Sequence, residues 1–101
     1  MKIIPSRFYN KWFDKLDNVV QIVILTHLNK LSKGALGNNK HLKGGVYELK
    51  IDFQKGYRIY NIKAGENIIL LLCAGIKDEQ TKDINRAIKI KEFYEKGGNI
   101  L

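Results

Sequence analysis

The sequence has little cysteine, little proline and no long hydrophobic run, and each shortage excludes a class of protein. Cys73 is the only cysteine, so an internal disulfide and a zinc site built from cysteines are both excluded. The longest apolar run covers residues 68–74, whereas a membrane-spanning helix needs about 18 apolar residues. Residues 1–5 lack the apolar core of a signal peptide. We therefore expect a cytoplasmic protein without a membrane partner.

Acidic residues are also scarce relative to basic ones. The 101 residues carry 18 lysines and arginines against 10 aspartates and glutamates, a net charge of +8. The length predicts a single domain over residues 1–101, and the 45% hydrophobic content is typical of a folded protein. A small domain this basic suits nucleic acid, a ribosome or an acidic protein as partner. The alternative is a soluble protein that is basic without such a partner.

The first third of the chain predicts a short strand followed by two helices. Residues 1–4 read as the strand, and Ser6 is placed to cap a helix whose apolar positions are 8, 12, 13 and 16. Asp17 is placed to cap a second helix, which ends at Gly34. The apolar stripe of this second helix is broad, so we expect it to lie deep against a sheet. Trp12 is expected to be buried between the first helix and the sheet.

The rest of the chain predicts three strands and a final helix. Residues 34–45 hold four glycines and two asparagines, which favours an irregular loop that includes the apolar Leu36 and Leu42. Alternating and continuous apolar patterns then predict strands, and the last of them is apolar enough to be buried on both faces. The fold class is therefore α+β: a small antiparallel meander with an N-terminal helical hairpin and a C-terminal helix, and with the helices on one face. The predicted ranges are 46–53, 57–63 and 68–74 for the strands and 78–96 for the helix.

The alternation also predicts a polar patch on one face of the sheet. A three-residue loop over 54–56 would pair Phe53 with Tyr57, and one residue of slip would turn every side chain over. The same register sets Asp52 opposite Arg58, Lys50 opposite Tyr60 and Glu48 opposite Ile62. Four polar residues then share one exposed surface: Glu48, Lys50, Arg58 and Tyr60.

Such a patch suits the cleavage of RNA without a metal. Arginine holds a phosphate bidentately, lysine supplies a point charge, and tyrosine stacks on a base or donates a proton. The 2′-OH can then attack the adjacent phosphate while the protein stabilises the developing charge. The alternative is a set of ordinary cross-strand pairs on a solvated face. His41 could serve as a general acid or be merely solvated, His27 suits packing at an apolar helix, and Cys73 is expected to be buried and inert.

Five segments of the sequence follow one another in an order that is specific to one family. The segments are LGNNKHL at 36–42, GVYELKI at 45–51, GYRIY at 56–60, LLL at 70–72 and GIKDEQ with Asp83, Ile84 and Ala87 at 75–87. In this order they resemble the RelE/ParE toxin superfamily, and the resemblance is greatest to its HigB-like, phage-derived Gp49-like branch of addiction module killer proteins. The chain has Lys50 where the family usually has arginine, and Ile76 where it usually has Gly-Asp before the lysine.

The resemblance implies the toxin of a type II toxin–antitoxin system. RelE-like and HigB-like members cut mRNA on translating ribosomes, and the antitoxin is often a small helix-turn-helix DNA-binding protein. Neither a cofactor nor a metal is implied. The alternatives are a ParE-like inhibitor of DNA gyrase without nuclease activity and a non-catalytic RNA-binding module.

Position by position, the resemblance and the basic middle segment select the candidate site residues. Glu48, Tyr57 and Gln80 are expected to support the site rather than to act. Contacts to the RNA backbone are expected from the basic segment, through Lys40, Lys43 and Lys55. The candidate catalytic residues are Lys50, Arg58, Tyr60 and Lys77.

Overall fold

The computed structural model describes residues 1–35 and 37–101, which form a five-stranded mixed sheet with helices on both faces. The strand order is β1-β5-β4-β3-β2, with β1 parallel to β5 and the other pairs antiparallel. Leu36 lies outside the described residues, and so does its predicted place in the loop. The elements are β1 (Lys2–Pro5), α1 (Arg7–Phe13), α2 (Asn18–Ser32), β2 (Asn39–Lys43), β3 (Val46–Ile51), β4 (Tyr57–Gly65), β5 (Ile68–Ile76), a 3₁₀ turn (Lys77–Glu79) and α3 (Gln80–Glu95).

Side-chain caps begin both N-terminal helices where the sequence predicts them. The Ser6 hydroxyl accepts a hydrogen bond from the Tyr9 amide at 3.1 Å and donates one to the Leu72 carbonyl at 2.6 Å. The Asp17 carboxylate accepts from the Val19 amide at 3.2 Å. Because Leu72 belongs to β5, the Ser6 hydroxyl also ties the start of α1 to the sheet.

The helices cover opposite faces of the sheet, so the expectation of one helical face is wrong. Ile24 and Leu31 of α2 pack on one face against Ile59 and neighbouring side chains. Ala87 and Ile90 of α3 pack on the other. The reason lies in β5, which is apolar on both sides and therefore needs a cover on each face. We name the two surfaces the α2 face and the α3 face.

The N-terminal helices are less deeply buried than their apolar patterns predict. Trp12 is half-buried and meets the ring of Tyr57 edge-on, with 6.2 Å between centroids. The fully buried aromatic of α1 is instead Tyr9. On α2 the apolar stripe is wider than the contact with the sheet, which leaves Val19, Ile22 and Leu25 exposed.

Strand β2 occupies part of the segment predicted to be an irregular loop. Gly44 and Gly45 form a two-residue turn between β2 and β3, with φ of +59° and +84°. Two successive positive φ angles are typical of a tight hairpin turn and favour glycine. Two of the four glycines that indicated a loop, Gly44 and Gly45, therefore close a hairpin.

The predicted register of β3 and β4 is wrong by two residues. Ile51 pairs with Tyr57, Lys50 with Arg58 and Glu48 with Tyr60. The connecting turn thus spans residues 52–56 rather than 54–56. A shift by two preserves which face each side chain occupies, so the predicted grouping of the polar residues survives.

Candidate nucleic-acid site

Two cross-strand rows carry the polar residues of the α3 face. Arg58 pairs with Lys50 of β3 on one side and with Gly75 of β5 on the other. The next row sets Tyr60 between Glu48 and Cys73. The rows lie at the end of the sheet where the 52–56 turn and the start of α3 meet, and we name this region the phosphate corner.

Arg58 is at the centre of the phosphate corner, and it is buried. Only 3% of the surface of Arg58 is exposed to solvent. One guanidinium nitrogen, Nη1, donates to the Tyr57 carbonyl at 3.0 Å, and Nε lies 3.9 Å from a carboxylate oxygen of Glu48. Over residues 1–35 and 37–101, Nε meets no hydrogen-bond partner. The prediction that Arg58 and Tyr60 are exposed is therefore wrong, since both are buried. Alternation predicts which face of the sheet a side chain occupies, but it does not predict whether that face is covered.

Two exposed lysines flank the buried arginine. The Lys50 side chain is 50% exposed. Lys77 is exposed in the 3₁₀ turn, and its amide donates to the Gly56 carbonyl at 3.1 Å. A Cβ on Gly56 would lie 3.2 Å from the Lys77 Cβ and 3.4 Å from Arg58 Nη1, so Gly56 brings the two side chains together. The structure thus places Lys50, Arg58 and Lys77 at one corner.

Acidic groups lie on the inner side of the corner, with Glu48 beside the guanidinium and Asp83 over Gly75. Glu48 is mostly buried and accepts a hydrogen bond from the Gln80 side chain at 3.0 Å, which supports the predicted structural place of both residues. Asp83 of α3 is buried over Gly75, where a Cβ would overlap its carboxylate. Burial, followed by the Glu79 charge, raises the pKa of Asp83. Burial and then Glu48 raise the pKa of the Tyr60 hydroxyl, which keeps it protonated.

Sequence reasoning missed Asp83 as part of the site. The available signal was its position one helical turn before Ala87, on the apolar side of the predicted helix. A carboxylate there must be buried, and a buried carboxylate is a candidate for the site.

The predicted RNA-contact lysines lie at different distances from the phosphate corner. Lys40 of β2 pairs with Glu48 and so extends the second row by one strand. Lys55 lies in the 52–56 turn, and both side chains are exposed. Lys43 is at the other end of β2, where it borders a surface hollow with Thr81 and Ile84. Lys40 and Lys55 are thus adjacent to the corner, and Lys43 is not.

The remaining sequence candidates take structural positions. His41 Nε2 accepts from the Gly45 amide at 3.2 Å, which stabilises the hairpin turn. The half-buried His27 ring lies 2.9 Å from the Val23 carbonyl within α2. Cys73 is buried as predicted, and burial raises the pKa of its thiol to about 12.

Neither a metal site nor a membrane helix is present in the described part of the chain. No group of three or more histidine, cysteine, aspartate or glutamate side chains lies close enough to hold an ion within residues 1–35 and 37–101. In the same residues, no helix is both long and apolar enough to cross a bilayer.

Solved structures of RelE toxins share this architecture. A double mutant of the Escherichia coli RelE toxin in the free state superposes with a TM-score of 0.71, at 21% identity, over 87% of this chain and 94% of that one. The toxin of the intact E. coli RelBE toxin–antitoxin complex gives 0.62, at 15% identity, over 74% and 94%. A RelBE-type toxin–antitoxin complex from Mycobacterium tuberculosis gives 0.61, at 15% identity, over 75% and 90%. These likenesses establish the fold.

Sequence comparisons establish the family. An uncharacterized protein of Haemophilus influenzae is 35% identical over 88 residues, which are 86% of this chain and 89% of that protein. The family described as "Phage derived protein Gp49-like (DUF891)" matches residues 11–95. The chain therefore belongs to the phage-derived Gp49-like family and has the fold of the RelE toxins, as its sequence motifs predict.

Proposed function

We propose that this protein is the toxin of a type II toxin–antitoxin system and that it cuts mRNA on the ribosome without a metal. Family membership and the RelE fold support the proposal, and two of the structural neighbours are toxin–antitoxin complexes. The observation that carries it is the phosphate corner, where exposed Lys50 and Lys77 flank the Arg58 guanidinium.

Each side chain of the corner has a distinct part in the proposed reaction. The RNA 2′-oxygen gives its proton to solvent water and attacks phosphorus, the bond from phosphorus to the 5′-oxygen breaks, and the departing 5′-oxygen takes up a proton. The ammonium groups of Lys50 and Lys77 are exposed, so they can bind the phosphate and supply that proton. Arg58 stabilises the negative charge that the phosphate gains in the transition state. Tyr60 is fully buried, so it does not reach the RNA. Its place opposite Glu48 suits a residue that supports that side chain.

A cell-free translation reaction tests the proposal directly. Purified protein is added to ribosomes translating a defined mRNA, and the new RNA ends are mapped, with the same mRNA lacking ribosomes as control. We expect cleavage only with ribosomes, and we expect Lys50→Gln or Lys77→Gln to slow it by about 10²–10³ if each removes one interaction with the transition state. Lys89→Gln, an exposed α3 lysine away from the corner, makes the same charge change and should cleave normally.

Arg58 needs a conservative variant because it is buried beside Glu48. Arg58→Ala would leave that mostly buried carboxylate without its cationic partner, and breaking such a pair typically costs about 3–5 kcal/mol of folding stability. Arg58→Lys keeps the charge, but a lysine cannot hold two phosphate oxygens at once. The variant should therefore fold, and it should cleave mRNA more slowly than the wild type. Full activity of a folded Arg58→Lys protein would contradict the bidentate role.

The exposed lysines of the basic segment should contribute to the affinity for RNA and not to the cleavage step. Neutralising Lys40 or Lys55 should reduce the dependence of log K on log salt by about 0.7–0.9 for each phosphate that the protein no longer neutralises. Cleavage at saturating protein should remain. Binding that does not change with salt would argue against an electrostatic contact with RNA.

The burial of Arg58 favours one second candidate, a ParE-like gyrase inhibitor without nuclease activity. A guanidinium that is 3% exposed and faces Glu48 can serve the fold alone. DNA supercoiling by purified gyrase in the presence of the protein distinguishes the two. Inhibited supercoiling together with intact mRNA would favour the second candidate.

A further inference from the structure

We propose that the Asp52 carboxylate occupies, in the free protein, the position between Lys50 and Arg58 that the substrate phosphate takes. Asp52 is then an internal competitor that lowers the affinity of the corner for oxyanions. The inference rests on the proposed function for the identity of the natural anion, an RNA phosphodiester. The anion site itself is argued from the geometry alone.

The two oxygens of this one carboxylate face two cations from different strands. Oδ2 of Asp52 lies 3.6 Å from Lys50 Nζ, and Oδ1 lies 4.0 Å from Arg58 Nη1. Lys50 and Arg58 are directly opposite each other in β3 and β4. A phosphate can likewise present two oxygens to an ammonium and a guanidinium, at shorter distances. The carboxylate therefore marks the position that an external oxyanion can take.

Asp52 can be displaced, whereas the other carboxylate at Arg58 cannot. The Asp52 side chain is 71% exposed, and both of its ion pairs are longer than a hydrogen bond. Glu48 is only 13% exposed and is held by Gln80 at 3.0 Å. Long ion pairs made by a solvent-exposed carboxylate contribute little free energy, so an incoming phosphate can replace Asp52 at small cost. Glu48 stays in place and holds the guanidinium.

The turn that carries Asp52 does not depend on its side chain. Its backbone hydrogen bonds run from the Phe53 amide to the Ile51 carbonyl at 3.1 Å and from the Gly56 amide to the Phe53 carbonyl at 2.9 Å. Gly56 closes the turn with φ of +80°. The Asp52 side chain can therefore turn outward while the backbone bonds remain.

Titration with inorganic phosphate tests the inference on the full chain. Amide shifts of Lys50 and Gly56 are followed by NMR in the wild type and in Asp52→Asn. Because the two ion pairs of the exposed Asp52 carboxylate are removed, we expect Asp52→Asn to bind phosphate about 2- to 5-fold more tightly. Glu66→Gln makes the same charge change in the turn at the other end of β4. That turn lies about 26 Å along the strand from Arg58, so Glu66→Gln should leave the affinity unchanged.

The double variant shows whether Asp52 acts through Lys50. In a Lys50→Gln background, the gain from Asp52→Asn should fall, because one of the two competing pairs is already absent. Unchanged or weaker phosphate binding by Asp52→Asn would overturn the inference. Equal gains in Asp52→Asn and Glu66→Gln would also overturn it, since net charge alone would then account for the effect.

The mRNA cleavage reaction separates this inference from the proposed function. If Asp52→Asn binds phosphate more tightly but neither it nor the wild type cuts mRNA, the anion site stands and the nuclease proposal fails. If the wild type cuts mRNA and Asp52→Asn shows no gain in phosphate binding, the nuclease proposal stands and the role of Asp52 fails.

Discussion

The α2 face and the α3 face differ most where β3 meets β4. Consecutive residues there point to opposite sides, so Leu49 and Ile51 join the apolar core under α2 while Glu48 and Lys50 lie on the other side. The α2 face is continuous apolar packing, whereas the α3 face combines an apolar core with a covered polar corner. A sheet face can therefore be covered although it carries charged groups, as the buried Arg58 beside Glu48 shows.

The faces also differ in how they surround a buried tyrosine. Among residues 1–35 and 37–101, the hydroxyls of Tyr9 and Tyr60 both have no hydrogen-bond partner. Tyr9 borders an apolar groove of about 440 Å³ between α1, α2 and β1, whereas Tyr60 is close to the charges of Glu48 and Asp83. The same residue type thus has an apolar environment on one face and an ionic one on the other.

The largest expected effect belongs to the apolar packing of the α2 face. Ile24→Ala removes a fully buried side chain and should lower the free energy of unfolding by about 2–5 kcal/mol. Ile22→Ala, on the same helix but 64% exposed, should change it by less than about 0.5 kcal/mol. Urea unfolding measures both. Equal losses would mean that α2 does not pack on the sheet as described.

The next effect tests the close approach of α3 to the sheet. Gly75→Ala places a Cβ against the Asp83 carboxylate, and such overpacking typically costs about 1–3 kcal/mol. Thermal unfolding should show the loss, and adding Asp83→Ala should recover part of it. A Gly75→Ala protein as stable as the wild type would show that α3 can move away freely.

The pH dependence of stability tests the buried Asp83 carboxyl of the α3 face. Burial and Glu79 raise the pKa of Asp83 above its ordinary 3.8, so the folded state keeps this proton at pH values where the unfolded chain has released it. The stabilisation is complete below pH 3.8 and is lost as pH rises through the folded-state pKa. Asp83→Asn should therefore gain stability relative to the wild type over that window. A constant difference in urea unfolding between acidic and neutral pH would contradict the buried carboxyl.

The smallest effect is expected from the two buried tyrosines, Tyr9 and Tyr60. Tyr9→Phe and Tyr60→Phe each remove a buried hydroxyl without a partner in the described chain, so each should be neutral or stabilising by up to about 1 kcal/mol. Chemical denaturation measures the free energy of unfolding of both variants. If the Tyr60 hydroxyl positions Glu48, only Tyr60→Phe should also slow mRNA cleavage, and equal cleavage by both variants would remove that role.

The sequence predicted both helix caps and which face each strand residue occupies, because these depend on neighbouring residues alone. Ser6 and Asp17 cap where expected. The register of β3 and β4 could not be predicted, since alternation is equally satisfied by a shift of two residues, and only the length of the turn decides. Strand β2 was missed because its hairpin turn, Gly44-Gly45, lies in a segment whose composition is that of a loop.

The sequence predicted which side chains share a face, but it did not predict their exposure. The structure brings Lys50, Arg58 and Lys77 to one corner, and their role in a site stays a prediction. Asp52 and Gly56 of the 52–56 turn approach the Arg58 guanidinium, and Glu48 lies beside it from β3. Alternation predicts the face of Arg58 but not how closely these groups enclose it. The spacing of Asp83 to Ala87 indicated its burial, but its approach to Gly75 joins two separate elements and could not be predicted.

The parallel pairing of β1 with β5 has a consequence for the order of folding. Lys2 lies beside Ile68 and Pro5 beside Leu71, so the first strand completes its pairing with one of the last. During synthesis, β1 has no strand to join until about two-thirds of the chain has been made. Contacts this distant in sequence slow folding, since a long loop must close before they form. The hairpin of β3 and β4 can form earlier, so Lys50 and Arg58 would be adjacent before the sheet is closed.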